Sequence, residues 1–291
     1  MGKIRSIIKS HTPDRIWQMA RIIGNPKKPK KTLRVEVHIA DHCNLNCKGC
    51  DNFSCIAEPN FLDIELFEQD LRRLREIFGN KVEWITMMGG EPLLNEESYK
   101  YCHIARELFP DALVRIITNG TLLMKQTKEF WESCKEDNIV LYVTKYPIKF
   151  DYDEAKAYAE KRGVKFQYSF ESGDVLKTMY KTPIDLEGRQ NPKLSYQLCG
   201  KGNKCITLKE GRLYTCETIA NFFTFNNFFG KNLEVCEDDY IDIYKENDPK
   251  KILKKMASAV PACRYCDNVH YCSGIPWETT KKEISEWTRV K

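Results

Sequence analysis

Apolar and polar residues alternate along Leu33-Arg34-Val35-Glu36-Val37-His38-Ile39 before Ala40, and this period of two predicts a half-buried strand over 33–40. After a cysteine-rich stretch the period changes. Asp63 opens a run in which Leu66, Phe67, Leu71, Leu74 and Ile77 recur at helical spacing until Gly79, the signature of a capped amphipathic helix. The same switch repeats down the chain. Strands are predicted over 82–88, 112–118, 139–144 and 164–168, and helices over 96–109, 124–136 and 152–162, with Gly89-Gly90 and Asn119-Gly120 stopping two of the strands. Strands that alternate with helices imply right-handed βαβ units and a parallel sheet. The pattern suits an α/β fold, a partial (β/α)6 TIM-like barrel, whose functional loops lie at the carboxyl ends of the strands. The cysteine loop, Gly89-Gly90-Glu91 and Asn119-Gly120 each follow a strand directly. All three are expected on one face.

From about Cys199 the chain turns to cysteines, aromatics and short turns, and Gly173, Pro183, Gly188 and Pro192 cluster just before that change. The expected organisation is an N-terminal helix and basic linker over 1–32, a partial barrel over 33–190, and a small cysteine-rich extension over 191–291. The segment Ile4 to Ile23 carries Ile4, Ile7, Ile8, Trp17 and Ile22 among basic residues, divided by Pro13. It reads as an amphipathic helix that packs on the body of the protein.

Charge changes this picture little. Lys and Arg number 46 against 41 acids, a net +5 over 291 residues. Much of the excess sits in Pro26-Lys27-Lys28-Pro29-Lys30-Lys31, read as a solvated linker, so no nucleic-acid-binding face is expected. No apolar run approaches the roughly 20 residues that span a bilayer, and no signal-peptide pattern opens the chain. No membrane association is expected, and a cytoplasmic location is. The cysteine count of 13 then reads as thiolate ligation of metal rather than as disulfides.

Cys43-Asn-Leu-Asn-Cys47-Lys-Gly-Cys50 puts three of these thiols in one tight loop. A structural zinc wants four protein ligands. Three suit a [4Fe–4S] cube with one iron left without a protein ligand. Cys-x3-Cys-x2-Cys after the first strand, with Gly89-Gly90-Glu91-Pro92 after the second, resembles the radical S-adenosylmethionine (SAM) superfamily over about residues 33–170. The resemblance implies a catalytic [4Fe–4S] cluster on Cys43, Cys47 and Cys50 whose open iron takes the methionine end of SAM. It implies reductive cleavage of SAM to a 5′-deoxyadenosyl radical, fed by a flavodoxin or ferredoxin-type electron donor. By the same likeness Gly89, Gly90 and Glu91 would contact the methionine amino group; glycines admit close backbone approach and a carboxylate accepts from an ammonium. Asn119, in a segment that is also an ordinary strand-ending turn, would line the SAM site. Ser169 and Glu171 are candidates for the ribose hydroxyls or the methionine carboxylate. Relatives usually carry an aromatic residue just before the third cysteine, near the adenine; here that position is Gly49, and Phe53 is the candidate to fill the space. Cys55, close behind the triad, is a candidate hydrogen-atom or proton donor.

A second cysteine set, Cys199-x5-Cys205-x10-Cys216 and Cys263-x2-Cys266-x5-Cys272, resembles the SPASM and Twitch extensions that bind auxiliary [4Fe–4S] clusters. Two fully thiolate-bound cubes would need eight cysteines, so six imply one. Its expected ligands are Cys199, Cys216, Cys263 and Cys266, with Cys205 or Cys272 as substitutes for one of them; a zinc ribbon on Cys263 and Cys266 is the alternative. Cys102 and Cys134, on predicted helices, read as small buried hydrophobes. The expected function is hydrogen abstraction from a C–H bond of a small-molecule, carbohydrate or aminocyclitol-like substrate, ending in oxidation or epimerisation. The rivals are SPASM-type peptide modification, for which about 32 residues before the first strand leave no room for a peptide-binding domain, and a non-catalytic iron–sulfur scaffold.

Overall fold

A computed structural model describes residues 14–24, 27–169 and 176–289. An N-terminal helix α1 (Asp14–Gly24) precedes strand β1 (Leu33–Ala40), and four further strands alternate with helices: α2 (Ile64–Phe78), β2 (Val82–Gly89), α3 (Ser98–Leu108), β3 (Leu113–Thr118), α4 (Lys128–Glu136), β4 (Val140–Val143), α5 (Tyr152–Lys161) and β5 (Lys165–Tyr168). β1 to β5 pair in parallel and in order. The fold is the expected mixed α/β partial barrel. Its sixth parallel strand is β7 (Thr207–Lys209), which pairs with β1 at the edge away from β5. Strands β8 (Arg212–Tyr214) and β9 (Tyr240–Asp242) continue the same sheet antiparallel. One sheet therefore runs across the boundary expected near residue 190.

Local chemistry explains where the elements start. Asp63 caps α2 by accepting the Leu66 amide at 2.9 Å, as expected of a side chain that satisfies a free helix donor. The helix expected over 124–136 is shorter. Leu123–Lys125 makes a single 3-10 turn, and Thr127 accepts the Phe130 amide at 3.3 Å to begin α4 at Lys128. A threonine cap three residues into the predicted run restarts the helix, because its side chain offers the backbone a better partner than helical continuation does.

Period two sorts β1 into two faces. Leu33, Val35, Val37 and Ile39 are fully buried under the helices with Phe67, Leu71 and Leu74. Glu36 and His38 occupy the opposite face. A second core, of Phe53, Phe222, Phe225, Tyr265 and Trp287, joins the cysteine loop to the C-terminal region. Phe222 and Phe225 belong to α8 (Phe222–Phe229), which follows the short α7 (Glu217–Ala220). Cys102 and Cys134 are buried in the first core, as expected.

Two N-terminal expectations change. Helix α1 packs against α6 (Pro192–Leu198), yet leaves Ile16, Met19 and Ile23 exposed; Ile4, Ile7 and Ile8 lie outside the described residues. The basic linker is anchored at its start, while Lys28, Pro29 and Lys31 stay exposed as expected. Lys27 Nζ donates to the carbonyls of Cys199 (2.6 Å) and Gly202 (3.1 Å), and Asn203 Nδ2 donates to the Lys28 carbonyl at 2.9 Å. Carbonyls around a loop of cysteines attract an ammonium strongly in this half-buried setting. Among the described residues no helix is long and apolar enough to cross a membrane.

Candidate active site

The loops after β1, β2, β3 and β4 meet at the carboxyl ends of the strands, around a cavity of about 230 Å³. Cys43, Cys47 and Cys50 line it together with Gly89, Gly90, Glu91, Asn119, Thr144 and Tyr146. The face expected from the strand order is therefore the face that forms.

Backbone geometry dictates the two glycines. The Gly90 amide donates to the Ala40 carbonyl (2.8 Å) and the Glu91 amide to the His42 carbonyl (3.0 Å), so the β1–β2 ladder extends into the cysteine loop. A Cβ on Gly89 would stand 2.1 Å from the Ala40 oxygen, and one on Gly90 would stand 1.9 Å from the His42 oxygen. No side chain fits either place. Gly89 also has φ +135°, where only glycine is at ease.

Glu91 is almost wholly buried. It accepts from Thr118 Oγ1 (2.6 Å), the Asn119 amide (2.8 Å) and the Leu93 amide (3.1 Å). Burial pushes its carboxyl up to about 7, against the pull of those donors. In this geometry it ties the end of β2 to the end of β3. Asn119 Nδ2 donates in turn to Asn44 Oδ1 (2.8 Å), and Asn44 Nδ2 to Thr121 Oγ1 (2.9 Å). The residue just after Cys43 is thus moored to the third strand's loop.

The C-terminal segment holds the other side of the loop. The Lys48 amide donates to the Glu278 carbonyl and the Thr280 amide to the Asn46 carbonyl, at 2.9 and 2.8 Å. Trp277 Nε1 donates to Cys47 Sγ at 3.1 Å, and Trp287 Nε1 to the Cys50 carbonyl at 2.8 Å. Burial raises all three thiols, that of Cys50 to about 11. Metal loading must therefore release protons.

Gly49, with φ +65°, leaves 3.1 Å between a Cβ and the Glu286 carbonyl; an aromatic residue there would be strained and crowded. Phe53 lies fully buried in the second core, 5.4 Å between ring centroids from Phe225, and does not line the main cavity. The aromatic walls of that cavity are Tyr146 and Tyr180. Tyr146 stands edge-on to Trp277 at 6.2 Å. Ser169 Oγ is 2.7 Å from Thr144 Oγ1, one step behind the wall. Glu171 lies outside the described residues. Cys55 is buried in the second core, and its thiol is raised to about 12 by burial and by Cys50.

The second cysteine set divides in two. Cys199, Cys216 and Cys266 line a small cavity of about 20 Å³ with Asp51, Phe53 and Lys201, and Cys263 is buried in the same core. Cys199 and Cys266 act electrostatically on Cys216, and Cys199 acts on Cys263, so these four thiols form one group. Cys205 lines the main cavity instead. Cys272 is exposed on β10 (Cys272–Ile275), with Sγ 3.8 Å from the Lys181 carbonyl on β6 (Met179–Lys181).

Sequence reasoning missed several residues. Lys201 Nζ sits 2.7 Å from Asp51 Oδ2 and 3.1 Å from Glu217 Oε1; burial opposes its charge, but the two carboxylates outweigh burial and raise its pKa. Burial lowers that of Lys177, which also lines the cavity. Glu36 lines the cavity too, but in sequence it is one polar position of an alternating strand and nothing marks it out.

The thiols and the glycine-made approach fit the group that the three-cysteine loop implies: a cube on Cys43, Cys47 and Cys50, with the cavity beside it for SAM. Residues 37–172 match the sequence profile of the Radical SAM superfamily. The GTP 3',8-cyclase of Campylobacter lari is 28% identical over 120 residues, 40% of this chain and 36% of that protein. The FeMo cofactor biosynthesis protein NifB of Methanocaldococcus jannaschii is 32% identical over 114 residues, 36% of this chain and 38% of that protein. The chain thus spans less than two fifths of the length of these two relatives. A crystal structure of BtrN in complex with AdoMet and 2-DOIA superposes with a TM-score of 0.51 at 18% identity, covering 83% of this chain and 95% of that one. Residues 37–172 thus carry a Radical SAM superfamily domain, folded here as a partial barrel.

Proposed function

We propose that this radical SAM enzyme oxidises an alcohol carbon of a small polyhydroxylated substrate, of the carbohydrate or aminocyclitol class. One observation carries the reading: the group of Cys199, Cys216, Cys263 and Cys266 stands directly behind the reaction cavity, because Asp51 lines both spaces. When bound, SAM and the cluster on Cys43, Cys47 and Cys50 supply hydrogen abstraction, and a SPASM/Twitch-like auxiliary cluster supplies an acceptor for the second electron. The chain's own residues hold the substrate. Asp51, Asn52, Thr144 and Lys177 present polar groups to the cavity, matched to hydroxyls rather than to an apolar side chain. Met88, Met179 and Tyr180 add apolar surface to its lining.

Turnover in deuterated water with a panel of sugars and aminocyclitols tests the reading. The expected product is a carbonyl compound formed with one 5′-deoxyadenosine per turnover. Solvent deuterium fixed at the reacting carbon means epimerisation and sinks the proposal. Iron content tests the auxiliary site separately. The reconstituted protein should hold about eight irons per chain, and a Cys263→Ala/Cys266→Ala variant about four, since each cube contains four. Zinc in place of the second four irons would identify a ribbon instead.

A further inference from the structure

We infer that Glu36, Cys205 and Glu217 form a binding site for a divalent ion of the zinc class on the wall of the reaction cavity, separate from both cysteine groups. A carboxylate oxygen of each glutamate and Cys205 Sγ all lie within 4.8 Å of one another. The three come from distant parts of the chain: the inner face of β1, the loop before β7, and the first residue of α7. All three line the cavity that Cys43, Cys47 and Cys50 line.

A second observation points to a ligand. Glu217 is 5% exposed, and its Oε2 is buried with no hydrogen-bond partner; Glu36 Oε2 is in the same condition. A buried carboxylate oxygen without a partner leaves its desolvation cost unrecovered. Lys201 does not remove that cost, since it engages Glu217 through Oε1 and shares its charge with Asp51. Burial and Glu217 push the Glu36 carboxyl up to about 8, and burial raises the Cys205 thiol, so a cation binds here by displacing their protons.

The donor set selects the ion. One thiolate and two carboxylates suit a borderline metal, whereas magnesium or calcium would take oxygen alone. Tetrahedral zinc with Zn–S of about 2.3 Å and Zn–O of about 2.0–2.2 Å needs donor separations of about 3.3–3.6 Å, within reach of the observed cluster by small side-chain rotations. Three protein ligands leave the fourth position for a ligand oxygen. If the cavity holds a polyol, as proposed above, that position takes one of its hydroxyls. The metal site itself does not depend on that occupant.

The test uses the anaerobically reconstituted protein, loaded with Zn2+, passed through gel filtration and analysed for both metals. The expected result is about one zinc per chain on top of about eight irons. Cys205→Ser and Glu36→Gln should each weaken zinc binding at least tenfold with iron unchanged, a loss of the size seen when zinc coordination is disturbed. Wild-type protein that keeps no stoichiometric zinc overturns the inference, whatever the variants do. So does zinc binding that both variants retain. A fall of about four irons in Cys205→Ser would assign Cys205 to a cluster and overturn it equally. None of these readings depends on substrate turnover, so the metal site and the oxidation reaction fail independently.

Discussion

Replacing Cys43, Cys47 and Cys50 together by alanine abolishes reductive cleavage of SAM, with 5′-deoxyadenosine falling to the level seen without protein. The three thiols are the sulfur donors that the loop after β1 brings to the cavity mouth. The other cavity thiol, Cys205, clusters with Glu36 and Glu217. The loop does not depend on the sulfurs for its shape. Lys48 and Thr280 pair it with the C-terminal segment, and Asn44 moors it to Asn119 and Thr121. The variant should therefore fold, keep about four irons in the auxiliary group, and fail only in chemistry. Anaerobic assay with dithionite and chromatography of the nucleoside products measures this. Persistent 5′-deoxyadenosine in the triple variant would place the catalytic cluster elsewhere.

The repeating part of the molecule was legible because each of its elements obeys one period. Alternation in β1 and helical spacing in α2 are local properties, and they placed β1 to β5 within one or two residues of the observed ends. The cysteine loop was legible for a related reason: three ligands lie within eight residues, so spacing alone conveys the chemistry. Contacts between distant segments left no such trace. Trp277 donates to Cys47 across 230 residues, and nothing around Trp277 in sequence marks it. Glu36, Cys205 and Glu217 meet only because β7 pairs with β1, a pairing that no local period encodes. Gly49 illustrates the converse. Its place in the motif was visible, but the left-handed backbone and the Glu286 carbonyl that demand glycine there belong to the tertiary structure.

Gly90→Ala should eliminate SAM cleavage while leaving the auxiliary cysteines loaded. The added methyl carbon would stand 1.9 Å from the His42 oxygen and 2.9 Å from the Cys43 nitrogen, inside any tolerable contact. Both neighbours are backbone, so no rotamer change relieves the clash, and the loop carrying Cys43 must move away from β2. That motion breaks the Glu91 amide to His42 carbonyl bond and displaces one of three sulfurs from its place. Overpacking costs typically 1–3 kcal/mol even where side chains can yield, and a rigid backbone yields less. A lowered melting temperature is expected, with iron falling from about eight to about four per chain. Gly200→Ala supplies the control. Nothing lies within 4 Å of a Cβ built there, although it adjoins Cys199, so this variant should retain both clusters and full SAM cleavage. If Gly90→Ala matched it in iron content and 5′-deoxyadenosine yield, the close approach of the first two strand ends would not be what holds the catalytic loop.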